Sequence, residues 1–354
     1  MAFINSIGLA NAPFKHAQSD ILQFILEMYK VPELEIDKVK RLYERSEIST
    51  RYSAIDDFSI EKQQWTFFEQ DAMTSVEKRM KKFFEIAPNL CVKAILNCVT
   101  NQQLSEITHI ITVSCTGISA PGLDIQLIQY LKLDSSLQRS SINFMGCYAA
   151  IHALKQANTI CQSTQDAKVL IVDIELCTLH FQDSYSMDNI ASSLLFADGA
   201  AAVLVSNDQG LFEIEDFYSE VALKGYHDMA WDISSSGFQM VLSAYIPLII
   251  AENIESMLMN SLAKMKITKE EIKHWAIHPG GKKIVTEIAK ALSLSEQDTA
   301  ISRSILNDYG NMSSVTILYL LERMSKNIKA ANELVYAAAF GPGLTIETMF
   351  LRSC

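Results

Sequence analysis

Three stretches of this chain are apolar almost without interruption and rich in β-branched residues: Ile107 to Ser114, Ala167 to Ile174 and Ala200 to Val205. A strand with no alternation of polar and apolar residues is covered on both faces, as in a sheet held between layers of helices. Helical periodicity lies around these runs. It is present from Ser19 to Lys30 (Ile21, Leu22, Phe24, Ile25, Met28), from Asp124 to Leu131, and again beyond Gly146 through Ala149, Ala150, Ala153, Leu154 and Ala157. The pattern predicts an α/β fold.

The small cluster Ser206 to Gly210 marks a break, which divides the chain into residues 1–207 and 208–354. The second half repeats the alternation: a strand at Trp275 to Ile277, helices from Pro247 to Lys264 and from Val315 to Met324, and strands from Glu333 to Phe340 and Leu344 to Arg352. Phe196-Ala197-Asp198-Gly199 and Phe340-Gly341-Pro342-Gly343 are similar turns in the two halves, a hint of internal duplication. A chain of 354 residues accommodates two such units.

Composition narrows the function. The net charge of −11 argues against nucleic acid as a main partner. Seven cysteines without CxxC or zinc spacing suit a reducing, cytoplasmic setting. The N-terminus lacks a secretory pattern, and no apolar run approaches the roughly 20 residues of a membrane span. Phosphate-binding and nucleotide-binding glycine motifs are absent.

Three loops carry chemistry. Asn143-Phe144-Met145-Gly146-Cys147 reads as a strand-to-helix corner that places Cys147 at a helix N-terminus, where the dipole favours a thiolate. The plainer reading is a small core residue. His278 ends a buried strand and is followed by Pro279-Gly280-Gly281, where a ligand can approach closely; a turn residue is the alternative. Asn311 lies between Gly310 and a helix start and also reads as a cap. On a helix from about Asp37 to Glu47, Lys38, Arg41 and Arg45 share one face, either a solvated surface or a phosphate site.

With these motifs in order, the sequence resembles the type III polyketide synthases, the chalcone synthase-like branch of the thiolase superfamily. The matching segments are Gly146-Cys147, Trp275 to Gly281, Gly310 to Ser314 and Phe340 to Thr348, and the resemblance extends from about Phe3 to the C-terminus. It implies a thiolase-like, duplicated, five-layered αβαβα architecture, a homodimer, and an acyltransferase with a Cys147–His278–Asn311 triad. Cys147 and His278 are expected as a thiolate–imidazolium pair. Malonyl-CoA and an acyl-CoA starter are the expected substrates, with no metal or redox cofactor, and iterative condensation ends in a pyrone, resorcinol or related aromatic. Bacterial members are suggested by Cys115.

The resemblance also places Lys38, Arg41 and Arg45, with Gly280 and Gly281, at CoA-binding positions. It makes Phe196 and Met240 a gate between the CoA tunnel and the cavity. Cys115, Thr116, Cys177, His180 and Ser313 fall on cavity-lining positions. Trp231 falls near a glycine of plant relatives and reshapes the cavity floor. Ala339 replaces the first glycine of the usual C-terminal signature. A single-round ketoacyl-ACP synthase III-like enzyme is the nearest alternative, although such enzymes follow the histidine with Gln-Ala-Asn. A non-catalytic acyl-CoA-binding protein has no use for all three triad residues.

Overall fold

A nine-stranded sheet runs through the computed structural model, which describes residues 1–68, 74–182, 184–234 and 237–354. In chain order the first part contains β1 (Ala2–Asn11), β2 (Phe14–Ala17), α1 (Gln18–Met28), α2 (Glu33–Arg45), β3 (Thr50–Ser53), α3 (Val76–Cys98) and α4 (Asn101–Ser105). These are followed by β4 (His109–Ser114), α5 (Leu123–Leu131), β5 (Gln138–Asn143), α6 (Ala149–Ser163), β6 (Lys168–Leu176), α7 (Met187–Leu195) and β7 (Asp198–Ser206). The second part contains β8 (Phe212–Val221), β9 (Met229–Ser234), β10 (Gly237–Leu242), α8 (Ile246–Met265), β11 (Ile272–Ile277) and α9 (Lys282–Ala291). It closes with α10 (Glu296–Tyr309), α11 (Val315–Asn327), β12 (Leu334–Gly341) and β13 (Thr345–Ser353).

The strand order is β11-β12-β13-β8-β1-β7-β6-β4-β5. The two parts of the sheet join where β1 pairs with β8 over Ala2↔Ile214, Phe3↔Glu213 and Ile4↔Phe212.

Burial follows the pleat on both faces of the apolar strands. In β7, Ala201, Val203 and Val205 pack into a central core, while Ala200, Ala202 and Leu204 pack into an outer one under α1, α3 and α5. In β12, Val335, Ala337 and Ala339 face the central core, and Tyr336, Ala338 and Phe340 face a second outer core with α8 and α9. The central core is built on α6 and α11. Their Ala149, Ala150, Ala153 and Ala157, and Val315 to Leu321, are wholly buried. Small side chains on α6 let sheet and helix approach closely, and a helix apolar all round is one covered all round. The layers are therefore helix, sheet, helix, sheet, helix, the αβαβα arrangement expected.

Caps fix several helix starts. Ser75 and Ser295 accept N–H bonds from Lys78 and Asp298, and Thr100 forms a capping box with Gln103. The helix expected from Asp37 begins earlier, at Glu33 behind Pro32, because proline before the first turn and two acidic residues within it favour a start there. The hairpin of β9 and β10, the short pair β2 and β3, and helices α7 and α10 were not anticipated. Their residues show neither a clean period of two nor a long apolar stripe. No helix among the described residues is long and apolar enough to cross a membrane.

Candidate active site

β5 delivers the chain to a tight corner, with Phe144 at φ 60° and Gly146 at φ 84°, before α6 begins behind its cap residue Tyr148. Cys147 stands just ahead of that cap. Gly146 N–H donates to Cys115 Sγ (3.1 Å), so the loop after β4 supports the corner. A Cβ on Gly146 would lie 2.4 Å from Pro342 Cδ. The corner is thus clamped by the loop that follows β12. Gly146→Ala combines a disfavoured φ with a steric clash against the proline ring and is expected to cost about 1–3 kcal/mol. Urea unfolding at constant m-value measures it.

His278 follows β11. Its N–H donates to Ala338 O (2.8 Å), and Gly280 N–H donates back to His278 O (2.9 Å). Gly281, at φ 149°, opens α9. The imidazole is 1% exposed, and neither ring nitrogen has a hydrogen-bond partner among the described residues. Asn311 sits between α10 and α11. Its N–H donates to Leu195 O (3.0 Å), and its carbonyl accepts from Ala197 N–H (2.8 Å). These bonds fasten it alongside Phe196. Its side-chain Oδ1 accepts from Ser313 N–H (2.9 Å). That contact assigns the amide oxygen and leaves the NH2 hydrogens for the cavity.

Cys147, His278 and Asn311 line one largely apolar cavity of about 290 Å³, together with Phe196, Met240 and Trp231. Ser313, Gly280 and Gly281 belong to the same wall. Lys38, Arg41 and Arg45 line an open groove that shares Ala191 and Leu242 with this cavity.

The structure splits the expected cavity set. Cys177 and His180 line a separate small chamber of about 30 Å³, which Phe196 and Met240 also border. The gate residues therefore stand between the Cys147 cavity and this inner chamber, not between Cys147 and the cationic groove. Cys115 and Thr116 line neither space. Cys115 is turned to the corner N–H, and Thr116 Oγ1 bonds His180 Nε2 (2.9 Å). The physical reason is an aromatic plug. The Trp231 ring packs 4.5 Å from His180 and 5.2 Å from Phe144, and Phe238 packs 4.3 Å from His180. Bulk on β9 and β10 fills the space that would otherwise expose those residues.

Burial acts against the expected ion pair. Burial pushes the Cys147 thiol up to about 12, with the Glu175 carboxyl adding to the rise and Ser313 and Asn311 offsetting it in part. Burial pushes His278 down to about 3. Burial thus favours the uncharged form of each group. The dipole of α6 does not overcome the desolvation of a thiolate inside an apolar wall.

Other residues at the site were not read from the sequence. Arg51 is buried and donates to the Phe196 carbonyl, holding the gate segment from behind. Asp198 accepts from Ala54 N–H (2.7 Å) and Thr178 N–H (2.8 Å) beside it. Asp173, Glu175 and Ser314 form a wholly buried polar group under the corner. Its available signal was two acidic residues two positions apart within an otherwise apolar strand.

The family models for chalcone and stilbene synthases match almost the whole chain, the N-terminal domain over residues 1–209 and the C-terminal domain over 220–354. The chain belongs to the chalcone and stilbene synthase family. Among similar proteins, "Alpha-pyrone synthesis polyketide synthase-like Pks18" of Mycobacterium tuberculosis is 29% identical, covering 94% of this chain and 86% of the relative. Bisdemethoxycurcumin synthase of Oryza sativa subsp. japonica is 28% identical, covering 100% and 92%. "Probable polyketide synthase 1" of Dictyostelium discoideum is 29% identical over 99% of this chain, which spans 11% of that protein's length. The crystal structure of PKS-I from the brown alga Ectocarpus siliculosus superposes with a TM-score of 0.91 at 28% identity, covering 100% of this chain and 98% of that one. The similar proteins are type III polyketide synthases, acyltransferase-type enzymes with the thiolase-like fold.

Proposed function

We propose that this chalcone synthase-like chain performs iterative decarboxylative condensation of malonyl-CoA onto an acyl group carried by Cys147, with cyclisation of the product. The reading is carried by one observation. A cysteine, a histidine and an asparagine from three distant loops line a single cavity that adjoins a groove with three cations.

The chemistry follows from what each group can donate. An acyl-CoA enters past Lys38, Arg41 and Arg45, which suit its phosphates. The Cys147 proton passes to His278 as sulfur attacks the thioester carbonyl, and it leaves on the departing CoA thiolate. An uncharged resting pair makes this transfer part of the acylation step. Malonyl-CoA then loses CO2, and its electron pair becomes an enolate on the thioester oxygen. His278 N–H and the Asn311 amide stabilise that oxygen, in a wall that excludes water. The carbanion attacks the acyl-Cys147 carbonyl, and the sulfur leaves. The lengthened thioester returns to Cys147, releasing CoA, and the cycle repeats. The plug of Trp231, Phe144, Phe238 and His180 limits the chain length the cavity accepts. Similarity to Pks18 supports a pyrone among the products. Two copies of the chain form the active particle in this reading.

Incubation with radiolabelled malonyl-CoA and a panel of acyl-CoA starters, followed by mass spectrometry, tests the proposal. Products longer by more than one acetate unit support it; single-extension products only, or none with any starter, reject it. Met240→Phe replaces a flexible side chain with a rigid one at the border of the inner chamber. It is expected to shorten the longest starter accepted, and an unchanged starter profile removes Met240 from the gate.

A further inference from the structure

Beneath the corner, β6 carries two carboxyl groups that no step above uses. Asp173 and Glu175 lie two residues apart, face the same side of the strand, and are wholly buried. Ser314 Oγ lies 2.9 Å from Asp173 Oδ1 and 2.7 Å from Glu175 Oε1. A hydroxyl has one hydrogen and donates it fully to one acceptor. The second short contact sets lone pair against lone pair unless that carboxyl supplies a proton of its own.

The remaining contacts say which carboxyl supplies it. Glu175 Oε2 accepts Cys115 N–H (3.1 Å), a bond that favours its anion. Among the described residues Asp173 Oδ2 has no partner, and its strand neighbours are Val113 and Ala201. Among the described residues neither carboxyl forms an ion pair, so an anion at Asp173 would be buried without compensation. We propose that Asp173 remains un-ionised and donates to Ser314, which donates to Glu175, so that the pair places one negative charge beneath Cys147 instead of two. Asp173 is then a positioning residue for the nucleophile, an inference that rests on the reading of Cys147 given above.

The titratable groups facing the pair are thiols: Cys91 on α3, Cys115 after β4, Cys147 at the corner and Cys177 after β6. For each, burial opposes ionisation most, and a carboxylate of the pair adds to it. A second negative charge would make Cys147 harder still to ionise. Burial and mutual repulsion hold Asp173 well above its ordinary range, and burial raises Glu175 to about 7. The folded chain then binds more protons than the unfolded one. The stability this contributes is complete below the ordinary carboxyl range and is lost as pH rises through about 7 and beyond.

Two measurements on the full chain test the assignment. Infrared spectra of the wild type near neutral pH should show the carbonyl band of a buried un-ionised acid, and Asp173→Asn should abolish it. Alkylation of Cys147 by iodoacetamide across pH, read by mass spectrometry of its peptide, gives the second measure. The amide introduced by D173N still donates to Ser314 but cannot ionise. Cys147 in D173N should therefore keep the wild-type alkylation profile near neutral pH, since a neutral amide replaces a neutral acid, whereas removal of a charge there would speed alkylation up to about tenfold for a shift of one unit. A wild-type spectrum without the acid band, or Cys147 alkylation faster in D173N than in the wild type, overturns the proposal. If D173N does not fold, the wild-type band decides alone, with Ser314→Ala altering its frequency as the bridge is lost. Neither measurement uses a CoA thioester, so failure here leaves the condensation reading intact, and failure of the starter panel leaves the proton assignment intact.

Discussion

Cys147→Ala should abolish chain extension while malonyl-CoA decarboxylation remains measurable. In the proposed reaction the sulfur forms the acyl thioester, so its removal takes away the covalent intermediate and not merely a contact. The loss in kcat for extended products is expected to be at least about a thousandfold. The rest of the site survives the change. Cys147 is only partly buried and precedes the helix cap, so loss of one sulfur leaves the corner's backbone bonds in place. His278 and Asn311 still line the same cavity. Radiolabelled malonyl-CoA separates the outcomes, because released CO2 and acetyl-CoA report decarboxylation and longer products report extension. A variant that still extends chains would show that another group holds the acyl chain.

His278→Ala and Asn311→Ala should divide the two half-reactions. In the proposed reaction both side chains donate to the oxygen where charge develops, and removal of one such donor typically costs about 10²–10³ in rate. Decarboxylation is expected to fall by that order in each variant. Acylation of Cys147 should fall sharply only in His278→Ala, because the imidazole is the base for a thiol that burial pushes up to about 12. Asn311 cannot accept that proton. Single-turnover acylation, followed by intact-protein mass spectrometry, distinguishes the variants. Equal acylation in the wild type and His278→Ala would remove the histidine from the loading step. The pH dependence carries the same sign: loading should accelerate as pH rises toward the thiol's range, since the neutral imidazole is already the resting form.

Much of this was legible in the chain because its local patterns agree with one another. The strands of Ile107 to Ser114 and Ala200 to Val205 are continuously apolar, and both their faces are in fact covered. Alanines at 149, 150, 153 and 157 mark a helix packed within the molecule, and α6 is the centre of the middle layer. Glycines at 146, 280, 281 and 310 flagged the loops that meet at the cavity. The hairpin of β9 and β10 was not legible, since its order comes from facing the cavity and from cross-strand pairs such as Trp231↔Met240. Cys177 and His180 line the inner chamber, whereas Cys115 and Thr116 line neither space, because side-chain volume decides membership and the ring plug around Trp231 is a three-dimensional fact.

By itself, the sequence determined the layered α/β architecture, the family, and the three loops that hold a thiol, an imidazole and an amide. These follow from short-range rules: periodicity, turn chemistry, and the requirement that buried strands be apolar. Only the tertiary structure decided how burial shifts Cys147 and His278, the division between cavity and inner chamber, and the contacts that join Asp173, Ser314 and Glu175. Each of those depends on desolvation and on distances between residues far apart in the chain, such as Ser314 and Glu175. No local pattern encodes how much water is removed from a group or which oxygen lies within about 3 Å of which hydroxyl.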